Sequence, residues 1–519
     1  MLPFLIAQLT LDNGLGLTPR LAYSTWNFFG TSATEADVRD TAAALEQTGL
    51  RALGFDTVNI DAGSVDRDPT TGRLVPSKHR FPSGLRNLSD YLHIAGFRFG
   101  AYNDISGHTC GNGPAAGSLH HYELDAATFA HEWQVDYLKF DFCGVQMPGA
   151  KPENCTGVVG RSCGTVPVEA SAQLGYWAAL SQAVNRTGRP IYLDFCPHAV
   201  ADGVGTEVPK GKLLYSPPKE WSLAQRRALS NSLLVEYDNT VDAWNYRNSS
   251  GLIFNIDAML QATDLSYSAP GAPRPWLITP RPAPCALRPR VTALTQPRPP
   301  PSLGLHPAPL PGAWNYADML QVCAFGKGRT PGGGMSLAEY RAHYSVWAIL
   351  ASPLVLGTDL RSLASDHPDC LALLLNKDIV AVNQDAGGLP PRLVAQTPPF
   401  GSAAASTLAI TMQAFARPLS GGRLAVLLLN RAPAAARLPA SWAELGIAAG
   451  RRAAVYDVLT HASRGAVAGS FQADVPSHDV AFVILQPEAG APPLHTESSV
   501  VVMVEEPSGR SRERLWAAA

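Results

Sequence analysis

Eight short runs with strand character, each followed by a longer stretch with helical periodicity, constrain this chain more than any other feature. They fall at 21–26, 55–61, 98–104, 137–141, 191–196, 233–237, 314–319 and 354–359. A strand followed by a helix is returned parallel to its predecessor, and eight such units close on themselves. The pattern therefore predicts an α/β fold, a (β/α)8 TIM barrel. An open doubly wound sheet is the alternative arrangement, but no G-x-G-x-x-G turn follows the first run.

Helical periodicity stops after about Asp385. Runs with β-type alternation follow at 408–415, 423–429, 452–458 and 480–485, which predict a small C-terminal antiparallel β-sandwich behind the barrel. The expected domains are a catalytic barrel over 11–388, a sandwich over 395–487 and a disordered tail over 488–519. One stretch inside the barrel is out of character. From about 269 to 313 the chain is crowded with proline and arginine, as in Pro297-Arg298-Pro299-Pro300-Pro301, a composition that forms no packed core. Asp242 and Asp318 stand 76 positions apart, whereas Trp26 and Asp61 stand 35 apart and Asp104 and Asp141 37. Excising 273–313, which is 41 residues, restores a spacing of 35. That stretch reads as either a disordered surface insertion or translated intervening sequence, outside the catalytic design.

Polar and aromatic residues gather where the strand runs end: Trp26, Asp61, Tyr102 with Asp104, Lys139 with Asp141, Cys196, Asp242, Asp318 with Met319, and Asp359. The C-terminal rim of such a barrel is where active sites are built. Within 136–143, strand alternation sends Lys139, Asp141 and Cys143 one way and Leu138, Phe140 and Phe142 the other. A cation two positions from an aspartate favours the ionised carboxylate, which is how a carboxylate nucleophile is prepared. An isolated Lys-x-Asp is more often a structural ion pair, and a lone rim aspartate can simply cap the next helix. Several together are harder to explain that way.

Composition narrows the chemistry. With 41 basic and 43 acidic residues the formal charge is −2, so no broad footprint for nucleic acid or an anionic membrane exists, and small neutral substrates fit better. No apolar run reaches the roughly 18 residues that cross a bilayer. The first ten residues are at most a truncated signal peptide, while sequons at Asn87, Asn154, Asn185 and Asn248 suit a secretory compartment. Eight cysteines without C-x-x-C pairing fit a few disulfides and not a metal site. No cofactor motif is present.

Several ordered strings carry a family resemblance: Leu11-Asp12-Asn13-Gly14-Leu15, Tyr23-Ser24-Thr25-Trp26-Asn27, Tyr102-Asn103-Asp104, the 139–143 strand, Trp314-Asn315-Tyr316-Ala317-Asp318-Met319 and Ala381-Val382-Asn383-Gln384-Asp385. With them the chain resembles glycoside hydrolase family 27, the α-galactosidases (melibiases) and α-N-acetylgalactosaminidases. The resemblance implies an exo-acting, retaining double displacement that releases terminal α-galactose, with no metal and no organic cofactor. It implies Asp141 as nucleophile, Lys139 on the sugar, Trp26 as an apolar wall, Asp61 and Tyr102 on hydroxyls, Met319 lining the pocket, and a Cys110–Cys143 disulfide bracing the nucleophile strand. The acid/base would be Asp242, which puts Asp238 where the family has a sugar-binding arginine; a shifted alignment makes Asp238 the acid.

Three departures leave other readings open. The family's Asp-Asp appears as Asp61-Ala62, the arginine is missing, and Pro197-His198-Ala199-Val200 stands where relatives read the 2-substituent. A catalytically impaired sugar-binding homologue, or a related activity on β-L-arabinopyranosides or α-N-acetylgalactosaminides, remains an alternative. The expected partner is a carbohydrate substrate, with no nucleic acid, no membrane and a possible homo-oligomer. The expected location is the secretory pathway, extracellular or vacuolar/lysosomal.

Overall fold

The computed structural model describes residues 13–110, 116–143, 145–146, 166–167, 170–200, 213–215, 229–230, 232–234, 243–244, 251–265, 314–329, 333–387, 389, 391–398 and 409–488. Asp238, Asp242 and the 273–313 insertion lie outside the described residues, as does the 488–519 tail beyond its first residue.

Eight parallel strands form one sheet: β1 (Leu21–Ser24), β2 (Thr57–Asn59), β3 (Arg98–Asp104), β4 (Tyr137–Asp141), β5 (Tyr192–Phe195), β6 (Ser232–Leu234), β7 (Trp314–Tyr316) and β8 (Leu354–Leu356). Each falls inside or beside an expected run, usually shortened at its C-terminal end where the rim loops begin. The sheet runs β7-β6-β5-β4-β3-β2-β1-β8, and the Leu320–Leu356 bridge brings the chain beyond β7 onto β8. This is a TIM barrel. Strand β4 alternates as its sequence requires. Leu138, Phe140 and Phe142 are fully buried in the outer core, where Phe140 meets Phe129 and Phe195 edge-on and Phe142 meets Trp177. Lys139 and Asp141 face inward.

Helices cover the strands: α1 (Trp26–Phe29), α2 (Glu35–Gln47), α3 (Leu85–Ile94), α4 (Tyr122–Ala127), α5 (Ala170–Arg186), α6 (Leu252–Leu265), α7 (Leu337–Ile349), α8 (Pro368–Leu374) and α9 (Lys377–Asn383). Their starts are written locally. Thr34 and Asp37 close a reciprocal capping box at α2, and Ser336 and Glu339 do the same at α7, each pair satisfying two backbone N–H groups that no helical bond reaches.

Among the described residues the C-terminal sandwich holds eight strands, β9 (Arg392–Thr397), β10 (Met412–Leu419), β11 (Arg423–Asn430), β12 (Ala436–Ser441), β13 (Arg452–Asp457), β14 (Ala462–Ala468), β15 (Ser470–Val475) and β16 (Val480–Pro487). Six of them form an antiparallel sheet in the order β9-β10-β11-β16-β13-β14, and β12 pairs with β15. Along β11, Leu424, Val426 and Leu428 fill the sandwich core while Ala425, Leu427 and Leu429 join the barrel core. That strand is apolar on both faces because both faces are covered. The junction also holds a buried ion pair, Arg431 with Asp257 of α6, in two bonds of 2.8 and 3.0 Å.

Candidate active site

Parallel register decides which side chains meet at the rim. On β3 and β4, Tyr102 is opposite Lys139 and Asp104 is opposite Asp141, so four polar residues from two neighbouring strands converge. Just past β2, the Asp61 backbone N–H donates to Thr25 Oγ1 at 3.0 Å, which ties that loop to the start of α1. Asp61 is buried and its carboxylate accepts three hydrogen bonds. Its Oδ2 accepts from Lys139 Nζ at 3.0 Å and from Ser24 Oγ at 3.3 Å, and its Oδ1 from the Ala62 N–H at 2.8 Å.

Lys139 is the hub. Its ammonium lies 5.5 Å from the Tyr102 ring centre and 6.0 Å from that of Trp26. Burial alone would lower its pKa, but the carboxylates of Asp61 and Asp141 more than offset this and hold it above the ordinary lysine value, fully charged. Tyr102 is buried and its phenol is pushed well up by burial and by Asp141, Asp104 and Asp61, so it stays neutral while its oxygen accepts the Cys110 N–H at 3.2 Å.

Asp141 is buried at the end of β4, with its Oδ1 accepting the Phe142 N–H at 2.9 Å. The Cys110–Cys143 disulfide brackets it, as the resemblance implied. Ligand atoms of Asp104, Cys110, Asp141 and Cys143 all lie within 4.8 Å of one another, but both sulfurs are spent in the disulfide, which leaves two adjacent carboxyls rather than a thiolate metal site. Asp104 is fully buried. It accepts from the Ser106 N–H at 2.8 Å, Ser106 Oγ at 2.5 Å and the Cys143 N–H at 2.6 Å. Burial, then the Asp141 charge, raise its pKa to about 7 against those donors.

Trp26 joins two small apolar clusters, Ala62, Tyr102 and Cys110 on one side and Ala22, Cys196, Tyr316, Met319 and Val355 on the other. Met319 is buried, and Gly357 makes room for it: a Cβ there would lie 2.6 Å from Met319 Cε. Asp318, beside it, holds a left-handed φ of 69°, a conformation that non-glycine residues adopt mainly under local constraint. Thus Trp26, Asp61, Tyr102, Lys139, Asp141 and Met319 come together on one rim, while Asp238 and Asp242 fall outside the described residues.

Sequence reasoning missed two features here. The Cys323–Cys370 disulfide fixes the loop after β7 to α8, and Arg329 of that loop lies with its guanidinium carbon 4.2 Å from the Trp26 ring centre. The cysteines are 47 residues apart, with no local pattern to pair them.

The same architecture is found in known proteins. The family model described as "Alpha galactosidase A" matches residues 31–156 and 303–385, and that described as "Alpha galactosidase C-terminal beta sandwich domain" matches 410–485. The chain is 30% identical over 484 residues to alpha-galactosidase 3 of Arabidopsis thaliana, covering 93% of this chain and 84% of the relative. It belongs to the family 27 α-galactosidases. An alpha-galactosidase of Cyamopsis tetragonoloba is 29% identical, covering 92% of this chain and 88% of its own length. Among solved family 27 folds, alpha-galactosidase I from Mortierella vinacea superposes with a TM-score of 0.64 at 23% identity, covering 91% of this chain and 98% of its own. The Saccharomyces cerevisiae enzyme crystallised with raffinose gives 0.63 at 20%, covering 92% and 99%. Next to Asp61, Ala62 makes an apolar contact to Tyr102 and Cys110.

Proposed function

We propose that this protein is an exo-acting retaining α-galactosidase that uses Asp141 as its nucleophile and needs neither metal nor organic cofactor. The observation that carries this reading is the Lys139–Asp61 pair beside Asp141 on the β4 end, a buried arrangement next to a carboxylate bracketed by a disulfide. Asp141 would attack the anomeric carbon to form a glycosyl ester, and a second carboxylic acid would protonate the leaving oxygen and then activate water. In retaining enzymes the two stand about 5 to 5.5 Å apart. Asp242 is the proposed acid/base and Asp238 the alternative. Lys139, Asp61 and Tyr102 would take sugar hydroxyls, with Met319 lining the pocket and Trp26 forming its wall. A buried charged donor beside a buried charged acceptor grips a neutral sugar's hydroxyls more strongly than neutral groups do.

The two candidate acids are separated by chemical rescue. On an activated aryl α-galactoside, azide should accelerate only the variant that lost the acid/base, because its nucleophile is intact. Rescue of Asp238→Ala and not of Asp242→Ala would move the assignment four residues upstream. Ala62 and Asp238 favour a second reading, a sugar-binding homologue with impaired turnover. A panel of aryl α-galactoside, α-N-acetylgalactosaminide and β-L-arabinopyranoside substrates decides between them, since the second reading predicts binding without hydrolysis of any.

Two disulfides suit an oxidising compartment, and no helix among the described residues is long and apolar enough to cross a membrane. We infer residence in the secretory pathway, extracellular or vacuolar/lysosomal.

A further inference from the structure

Helix α1 carries aromatic rings that two guanidiniums cover, and the two are treated differently. Arg361 lies over Phe28 and Phe29, at 5.7 and 5.0 Å, and is neutralised twice, by Asp359 at 2.8 Å and Asp37 at 2.9 Å. Arg329 lies over Trp26 at 4.2 Å and makes no ion pair among the described residues, although it is exposed. A cation placed only to pack against a ring gains from a carboxylate partner, as Arg361 does. One left unpaired beside a binding pocket keeps all five donors for a ligand.

Arg329 is held in place. Its backbone N–H donates to Asn27 O at 2.9 Å, and the preceding Gly328 has a φ of 101° at a point where a Cβ would sit 2.8 Å from that same oxygen. Gly30 clears the path of the side chain, since a Cβ there would lie 2.3 Å from Arg329 Cδ. The start of the loop is pinned by the Cys323–Cys370 disulfide and by Thr358 Oγ1 donating to Cys323 O at 2.8 Å. Stacking on Trp26 thus presents a preorganised planar fork at the outer edge of the wall, where Lys139 marks the inner edge.

We propose that Arg329 is a specificity-determining residue that reads the leaving group, and that this site acts on galactosides whose neighbouring residue carries an anion, a carboxylate or a sulfate ester. The inference rests on the α-galactosidase reading above. In an exo-acting pocket the terminal sugar occupies the buried end and everything it is attached to passes the exposed rim. A guanidinium grips carboxylate or sulfate oxygens two at a time, a geometry a neutral hydroxyl does not offer.

The test uses the full-length protein and three aryl α-galactosides, one neutral, one with a ring carboxylate and one with a ring sulfate ester. Comparing each variant with wild type on the same substrate cancels leaving-group differences. Arg329→Gln should raise KM about tenfold on an anionic substrate, with kcat and the neutral substrate changed no more than about twofold, and Arg329→Lys should recover part of the loss. The carboxylate and sulfate arms identify which anion is read. Equal losses on all three substrates would make Arg329 a prop for Trp26 and overturn the proposal, as would no change on any. Calorimetric Kd values in an Asp141→Asn background separate the two readings. An Arg329-dependent Kd for the anionic ligand sustains this inference even where wild type hydrolyses nothing, and its absence overturns it.

Discussion

Asp104 shows how much one buried carboxyl can set. It has no exposure, its neighbour is Asp141, and burial followed by that charge raises its pKa to about 7. The folded protein therefore holds a proton on Asp104 between roughly pH 4 and 7 that the unfolded chain has released. Stability from this group is fully present below that window and is lost as pH rises through it. Asp104→Asn keeps the shape and removes the ionisation. The variant should gain on wild type by about 4 kcal/mol between pH 4 and pH 7.5 in urea unfolding, on top of a pH-independent loss from one backbone bond. A difference between the two proteins that does not change with pH would refute this. The rim positions of Trp26, Asp61, Tyr102, Lys139 and Met319 could be read from the sequence because each stands at the end of a strand run, while the roles proposed for them come from the family resemblance. The burden on Asp104 was not, since it comes from register with β4 and from the Ser106 turn, which only the folded chain creates.

Helix α7 lies between the barrel and the sandwich, and from Ala342 to Ile349 every residue is buried. A helix stretch buried on every side belongs between two packed layers, and a sequence that mixes Glu339 and Arg341 with apolar residues does not announce that place. Two polar side chains are enclosed in it, Ser345 and His343. Neither ring nitrogen has a hydrogen-bond partner, the ring packs edge-on to Trp347, and burial pushes its pKa down to about 3. Here the unfolded chain binds the extra proton, so stability is present above the ordinary histidine pKa and is lost as pH falls from about 6.5 towards 3, by on the order of 5 kcal/mol. His343→Leu should flatten the acid side of a Tm against pH profile, and an unaltered acid limb would contradict it. The sandwich was only half legible at this scale. Strands β10, β11, β13 and β16 announce themselves by apolar β-type runs, whereas β14 is mostly exposed, with Ser463, Arg464 and Gly465 in its first half, and owes its place to pairing with β13.

For the whole molecule, the strand and helix rhythm foretold a barrel and the change of period foretold a second domain. The connection between α6 and β7 breaks that rhythm. Strands β6 and β7 pair directly, yet α6 ends at Leu265 and β7 begins at Trp314. Removing 273–313 leaves seven residues, 266–272, to join them, an ordinary length for such a loop. The deletion should therefore leave hydrolysis unchanged and the Tm unchanged or higher, because loop closure becomes less costly. Failure of the shortened chain to fold would show that the segment is structural. The claim on which everything else rests is that Asp141 is the nucleophile of a retaining α-galactosidase. Incubation with a fluorinated α-galactosyl donor that slows deglycosylation, followed by peptide mass spectrometry, should find one galactosyl ester per chain on the peptide bearing Asp141 and none in Asp141→Asn; an ester on another carboxylate, or hydrolysis by Asp141→Asn at the wild-type rate, would contradict it.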